Sequence, residues 1–223
     1  MPSLPPRLPS WFAGTRVIDE FGGPLVVYRG EHGPPHCADD QGSCEEPFGL
    51  FQTRLPTLSF GSASAARLYA TKPNNRNDVL ISPRLFSGYL CIQNPVMNRP
   101  DDQFVELEDI ARAIGKKAAR EAAVHFKDHI TNTCNWIDDI GMKFETFENY
   151  LNSRSFNLSD LYFDAYALFD DTHHSAIFRD AGYDGAIHGG CGETSGEPEY
   201  KVFSPEQVWL LSNGVSGYEK LAR

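Results

Sequence analysis

Ala181-Gly182-Tyr183-Asp184-Gly185-Ala186-Ile187, then a Gly- and His-rich loop, then Glu197-Pro198-Glu199-Tyr200-Lys201-Val202-Phe203-Ser204-Pro205-Glu206-Gln207-Val208, is the stretch on which the fold of this chain turns. It reads as strand, loop, strand. Gly182 and Gly185 bracket a tight entry into an apolar β run. Tyr200, Val202 and Phe203 favour extended backbone, and Ser204-Pro205 ends the second strand. Glu197 and Glu199 stand two residues apart at that strand's mouth. In an extended segment side chains alternate with period 2, so both carboxylates face one side. Such a pair beside a loop suits electrostatic and general-base work on one substrate. An isolated Glu-x-Glu is more often two solvated acids, so the rest of the chain has to decide.

Upstream of this stretch, residues 106–181 are helical in pattern. Leu107, Ile110, Ala111, Ile114, Ala118, Ala122 and Phe126 recur at three- and four-residue steps, predicting a helix from Glu106 to about Ile140, where Gly141 stops it. Phe144, Phe147 and Leu151 predict a short second helix. A third is expected from about Asp160 through Phe169 and a fourth from about His173 to Ala181. His173-His174 reads as a pair of solvent-exposed imidazoles. His188, in the Gly-rich loop between the last two strands, is in position to approach a ligand.

Further towards the N-terminus the pattern returns to β. Pro24 to Gly30 is a β-branched and aromatic run halted by Gly30. Residues 31–48 read as a long loop, in which His32, His36, Cys37 and Cys44 match no standard zinc spacing. Leu55 to Ser62 is a second short strand and turn. The Ala-rich run from Ser62 to Ala70 is a helix capped by Ser62 or Ser64 and broken at Asn74 to Asn77. Val79 to Ile81 and Gly88 to Gln93 are predicted strands, the second ended by Asn94-Pro95. Residues 1–14 are irregular. The expectation is an α+β fold: an irregular N-terminal lead-in over residues 1–20, then a single domain over 21–223 with a helical block at about 106–181 as an insertion or cap.

The totals narrow the function classes. A chain of 223 residues with 41% hydrophobic and 12% aromatic content has enough apolar material for a core. The balance of 20 Lys+Arg against 30 Asp+Glu, −10 overall, disfavours non-specific binding to nucleic acid or anionic lipid. The five cysteines, at 37, 44, 91, 134 and 191, contain no C-x-x-C pair and suit free thiols in a reducing compartment. No apolar run approaches the roughly 20 residues of a membrane span. Met1 to Ser10 is Pro-rich with no apolar h-region, unlike a Sec-type signal peptide.

Three polar features each adjoin an apolar β run. Arg29 ends the first strand, Ser59-Phe60-Gly61-Ser62 ends the second and opens a helix, and Glu197-x-Glu199 opens a late strand. An Arg at a cleft rim suits a phosphate through bidentate charge-assisted hydrogen bonds, and the amides of a helix N-terminus add anion affinity. Carboxylates across the cleft repel phosphate, so they face another part of the ligand. NAD undergoing cleavage of its nicotinamide–ribose bond has this layout, with a diphosphate at one end and a developing cation at the other.

In this order the segments 24–33, 55–70 and 181–210 resemble the ADP-ribosyltransferase superfamily of the Arg–Ser–Glu type. They are most similar to the compact ART-like domains of bacterial toxins, effectors and phage polyvalent proteins. The resemblance implies an ART-like split β-sheet core of two packed small sheets with the helical block inserted or capping. It implies a mono-ADP-ribosyltransferase, a glycosyltransferase that uses NAD as substrate and no metal, modifies a protein acceptor and releases nicotinamide. An NAD glycohydrolase or a catalytically inactive protein-binding module are the alternatives. It further implies that Arg29 holds the NAD phosphates and nicotinamide ribose, and that the Gly30 backbone binds the nicotinamide amide. Ser59 would position the catalytic Glu199, with Ser59, Phe60 and Ser62 contributing cofactor contacts. Tyr69 would pack on nicotinamide. Glu199 would bind the ribose 2′-hydroxyl and stabilise an oxocarbenium-like transition state, and Glu197 would help to deprotonate the acceptor. The Gly-rich loop 188–196 would recognise that acceptor. The serine motif reads Ser-Phe-Gly-Ser rather than Ser-Thr-Ser, so Ser59 and Ser62 compete for the supporting role. The implied location is the cytoplasm, or delivery into the cytoplasm of a host or target cell without a Sec-type signal.

Overall fold

The computed structural model describes residues 8–31, 51, 53, 55–71 and 83–212. The expected loop with His32, His36, Cys37 and Cys44, the break at Asn74 to Asn77 and the strand Val79 to Ile81 lie outside the described residues. In chain order the elements begin with α1 (Leu8–Phe12), β1 (Val27–Glu31), β2 (Leu58–Phe60), α2 (Ala63–Thr71), β3 (Arg84–Leu90), β4 (Pro95–Arg99) and β5 (Phe104–Glu106). The helical block follows, with α3 (Leu107–Ile114), α4 (Lys116–His125), α5 (Lys127–Thr131), α6 (Phe147–Leu151), β6 (Tyr162–Asp164), α7 (Ala165–Phe169) and α8 (Thr172–Asp180). The chain then returns to strands β7 (Gly185–Gly189), β8 (Pro198–Val202) and β9 (Val208–Ser212). The fold is α+β.

Two small sheets pack face to face. One has the strand order β1-β3-β9, the other β2-β8-β7-β4, and β5-β6 form a separate pair. Alternation along the strands supplies the shared core: Val27, Phe86 and Leu90 from the first sheet meet Leu58, Phe60, Ile187, Tyr200 and Val202 from the second. The sheets touch edge to edge at one place. The Tyr28 amide donates to the Gly61 carbonyl at 2.9 Å and the Gly61 amide to the Tyr28 carbonyl at 2.8 Å. Extending this antiparallel bridge would set Gly30 opposite Ser59, but among the described residues β1 and β2 do not pair there. The strands part, and α2 lies against β1 on the far side of the split. The approach is so close that a Cβ on Gly30 would stand 1.8 Å from the Ala66 carbonyl oxygen, which is why no side chain fits at this position.

The helical block has its own core, which includes Val105, Leu107, Ile110, Phe126, Phe147, Phe163, Leu168, Phe169 and Phe178. The expected long helix from Glu106 is interrupted. Gly115 takes φ +95°, a left-handed conformation that ends α3 and restarts the chain as α4, and a π-helical turn at Trp136–Ile140 precedes Gly141. The expected helix from Asp160 through Phe169 is split: Tyr162–Asp164 pairs as a strand with Phe104–Glu106, and only Ala165–Phe169 is helical. The strand expected at Gly88 to Gln93 lies at Arg84–Leu90, ending four residues before Asn94-Pro95, and Pro95 itself opens β4, an edge strand whose first residue needs no amide. The described part of the lead-in is docked rather than irregular. Leu8–Phe12 is helical, Trp11 packs on Trp209, Val17 is buried, and the Thr15 hydroxyl donates to the Leu90 carbonyl at 3.0 Å. His173 is exposed as expected, whereas His174 is buried. Among the described residues no helix is long and apolar enough to cross a membrane.

Candidate active site

The face of β8 opposite the inter-sheet core is polar. Glu199 and Lys201 alternate with the core residues Tyr200 and Val202, so they share that face. Register brings in the neighbours: Ser59 on β2 pairs with Lys201, and His188 on β7 pairs with Glu199. Directly paired residues project to the same side, so Ser59, Lys201, Glu199 and His188 form one row. Asp170, at the end of α7, covers it. The Lys201 Nζ lies 2.7 Å from Asp170 Oδ1 and 3.0 Å from Glu199 Oε1, with only 1% of the residue exposed. Thr57 adds a hydroxyl hydrogen bond to Asp170 Oδ1 at 3.0 Å, and Ser59, diagonal to Glu199 across the β2–β8 pair, favours its ionised form.

Burial opposes charge in this row, and pairing overrides it for two members. Burial alone raises the Glu199 carboxyl, but the Lys201 ammonium, aided by Ser59, holds it below its ordinary value. Burial alone lowers the Lys201 ammonium, but Glu199 and Asp170 hold it above its ordinary value. Glu199 is therefore an ionised carboxylate fixed in orientation, at 14% side-chain exposure. His188 follows the opposite course. Burial lowers its pKa and outweighs the attraction of Glu199, so the ring is neutral. Its Nδ1–H donates to the Gly189 carbonyl at 2.8 Å, and its ring stacks on Phe169 with centroids 5.8 Å apart. That tautomer leaves Nε2 as a buried acceptor, and it has no hydrogen-bond partner.

Around this row lie the residues of the split. Arg29 Nη1 donates to the Ser59 carbonyl at 3.1 Å, and its Nε donates to Glu31 Oε1 at 2.8 Å. Glu31 is almost fully buried and also takes Arg84 Nη2 at 2.6 Å, so one carboxylate braces two guanidinium groups. Ser62 caps α2, its hydroxyl accepting the Ala65 amide at 3.1 Å, and the Ser62 and Ser64 hydroxyls both bond the Glu197 carboxylate. Tyr69, on α2, has an exposed ring, while its hydroxyl hydrogen-bonds Thr194. Burial of the hydroxyl, then the charge of Glu199, raise its pKa. Burial followed by Glu199 likewise raises the Cys191 thiol.

Of the residues expected from sequence, Arg29, Ser59 and Glu199 come together near the split, and Tyr69 is close enough to feel the charge of Glu199. The Ser62 hydroxyl bonds Glu197, whereas Ser59 lies diagonal to Glu199 across the β2–β8 pair. Glu197 and Glu199 thus have separate partners. Phe60 is elsewhere, since its ring fills the inter-sheet core at 2% exposure and meets Phe51 edge-on. The Gly30 position is dictated by the packing of α2, and its backbone lies at the split. His188 is in strand β7 rather than in the Gly-rich loop. Sequence reasoning missed Lys201, Asp170 and Glu31. Lys201 was legible, because the same period-2 alternation that grouped Glu197 with Glu199 extends one step further to it. Nothing local to Asp170 marks it as Lys201's partner. Comparison with protein-family models, with curated proteins and with solved structures yields no match.

Proposed function

We propose that the chain is a mono-ADP-ribosyltransferase built on an ART-like split-sheet core, transferring ADP-ribose from NAD to a protein acceptor in a cytoplasm, its own or that of a target cell. The observation that carries this reading is the grouping of Arg29, Ser59 and Glu199 from three distant segments near the line where the two small sheets part, with Arg29 bonded to the Ser59 carbonyl and Ser59 paired beside Glu199 on β8. In this reading the C1′–nitrogen bond of NAD breaks and nicotinamide leaves with the electron pair. The ribose ring carries the developing positive charge until an acceptor nucleophile attacks C1′ and gives up its proton. Glu199, kept ionised by Lys201, stabilises that charge and accepts the 2′-hydroxyl. Arg29, held in place by Glu31, binds the phosphates. Tyr69 flanks the nicotinamide.

One observation favours hydrolysis as the second reading. The Glu197 carboxylate, which would deprotonate an acceptor, is already engaged by Ser62 and Ser64. The purified protein is incubated with NAD, with and without a cell lysate, and nicotinamide release and ADP-ribosylated protein are followed by mass spectrometry. The expected result is labelled protein in the lysate, with both products reduced at least about 100-fold by Glu199→Gln. Glu197→Gln is expected to reduce transfer while sparing nicotinamide release. Nicotinamide without labelled protein selects the glycohydrolase. Neither product, in several lysates, sinks both enzymes in favour of a binding module.

A further inference from the structure

The C-terminal end of α4 and the start of α8 meet at three side chains outside the candidate active site. Asp171 Oδ2 lies 3.1 Å from His125 Nε2, and Asp171 Oδ1 lies 2.7 Å from His174 Nδ1. The two ring nitrogens and the carboxylate are all within 4.8 Å of one another. His174 is 4% exposed, whereas the His125 side chain is half-exposed. We propose that His125 Nε2, the Asp171 carboxylate and His174 Nδ1 bind one divalent transition-metal ion of the zinc class, with a remaining coordination position open to solvent.

Two imidazoles and a carboxylate are a donor set suited to such an ion. Without metal, each imidazole must keep its proton on the very nitrogen that faces Asp171, giving two N–H donors on one carboxylate. A metal ion replaces those two protons and uses the same atoms. Metal bonds of 2.0–2.2 Å require ligand atoms about 3.4 Å apart. The two Asp171 contacts, at 2.7 and 3.1 Å, are shorter than that spacing, so an ion entering between them has only to part the three side chains by less than about 1 Å on the Asp171 side. Surrounding groups hold the ligands: the His174 amide donates to Asp171 Oδ1 at 2.9 Å, and Phe126 backs both rings at 4.7 and 4.9 Å between centroids. The residues at 171 and 174 are one helical turn apart, which sets them on one side of α8. No step of the NAD chemistry passes through this site; it staples α4 to α8.

The test uses the full chain, stripped with a chelator and titrated with Zn²⁺ against a chromogenic competitor, with Co²⁺ as a spectroscopic probe of geometry. One equivalent of Zn²⁺ is expected, with a rise in the thermal midpoint. His125→Gln, at an exposed position, is expected to weaken binding by more than about tenfold and to abolish the rise. Asp171→Asn preserves the helix cap and removes the charge, so it is expected to do the same and serves if His125→Gln folds poorly. His173→Gln is expected to change nothing. Absence of binding, or binding that survives both ligand substitutions, overturns the proposal.

Discussion

The two faces of the sheet β2-β8-β7 differ as much as any two regions of the molecule. On one, Leu58, Phe60, Tyr200, Val202 and Ile187 close against the other small sheet in an apolar core. On the other, Ser59, Lys201, Glu199 and His188 face Asp170 and the helical block in a row of charges and hydrogen bonds. The same strands supply both, residue by alternating residue. The apolar face depends on shape and volume, which pH does not alter. The polar face depends on protonation states that are held away from their ordinary values. Stability and chemistry are thereby assigned to opposite sides of a single layer.

Removing one partner from the polar row is expected to have the largest effect. Lys201→Met leaves the Glu199 carboxylate buried and uncompensated, at an expected cost of about 3–5 kcal/mol near neutral pH. In that variant burial raises the Glu199 pKa above its unfolded value, so stability recovers as pH falls and the carboxyl takes up a proton. Chemical denaturation at neutral and mildly acidic pH reads both the cost and its direction. Leu58→Ala, at a fully buried position on the apolar face, is expected to cost about 3 kcal/mol. The same denaturation series should show that cost unchanged by pH. A pH-independent Lys201→Met, or a pH-dependent Leu58→Ala, breaks the division between the faces.

The smallest effect is a change in slope. The pKa of His188 is lowered by burial, so just below about 6.5 the unfolded chain binds a proton that the folded chain refuses. The contribution is present above that pH and is lost as pH falls towards the folded-state value. His174 acts with the same sign. His188→Asn keeps a donor for the Gly189 carbonyl and removes the titration. Thermal midpoints measured across mildly acidic pH should fall less steeply in the variant than in the parent protein. An unaltered slope means that His188 is not the neutral, buried ring described above.

What was legible in the sequence followed from short-range periodicity. Alternation at Glu199–Val202 located the polar face; Arg29 and Ser59, read as strand ends, instead lie in the middle of β1 and β2, because three- and five-residue strands are too short for their ends to be read from sequence. The failures lie where a short segment or a distant partner decides. Tyr162–Asp164 is three residues long, too short to show a period, and becomes a strand only because Phe104–Glu106 pairs with it. Gly115 sits within a good helical pattern, and its left-handed backbone overrides that pattern. Asp170 reads locally as the polar end of a helix; its partner is thirty-one residues away in sequence. His188 looked like part of a Gly-rich loop because glycines follow it, whereas its pairing with Glu199 extends the strand to Gly189.

Asp170 and Asp171 are consecutive, yet their side chains serve different neighbourhoods: the first reaches Lys201, the second His125 and His174. A single planar peptide joins them, and that plane moves as a unit. The elbow between α7 and α8 is thus a joint where two polar neighbourhoods meet, each holding one of two consecutive carboxylates.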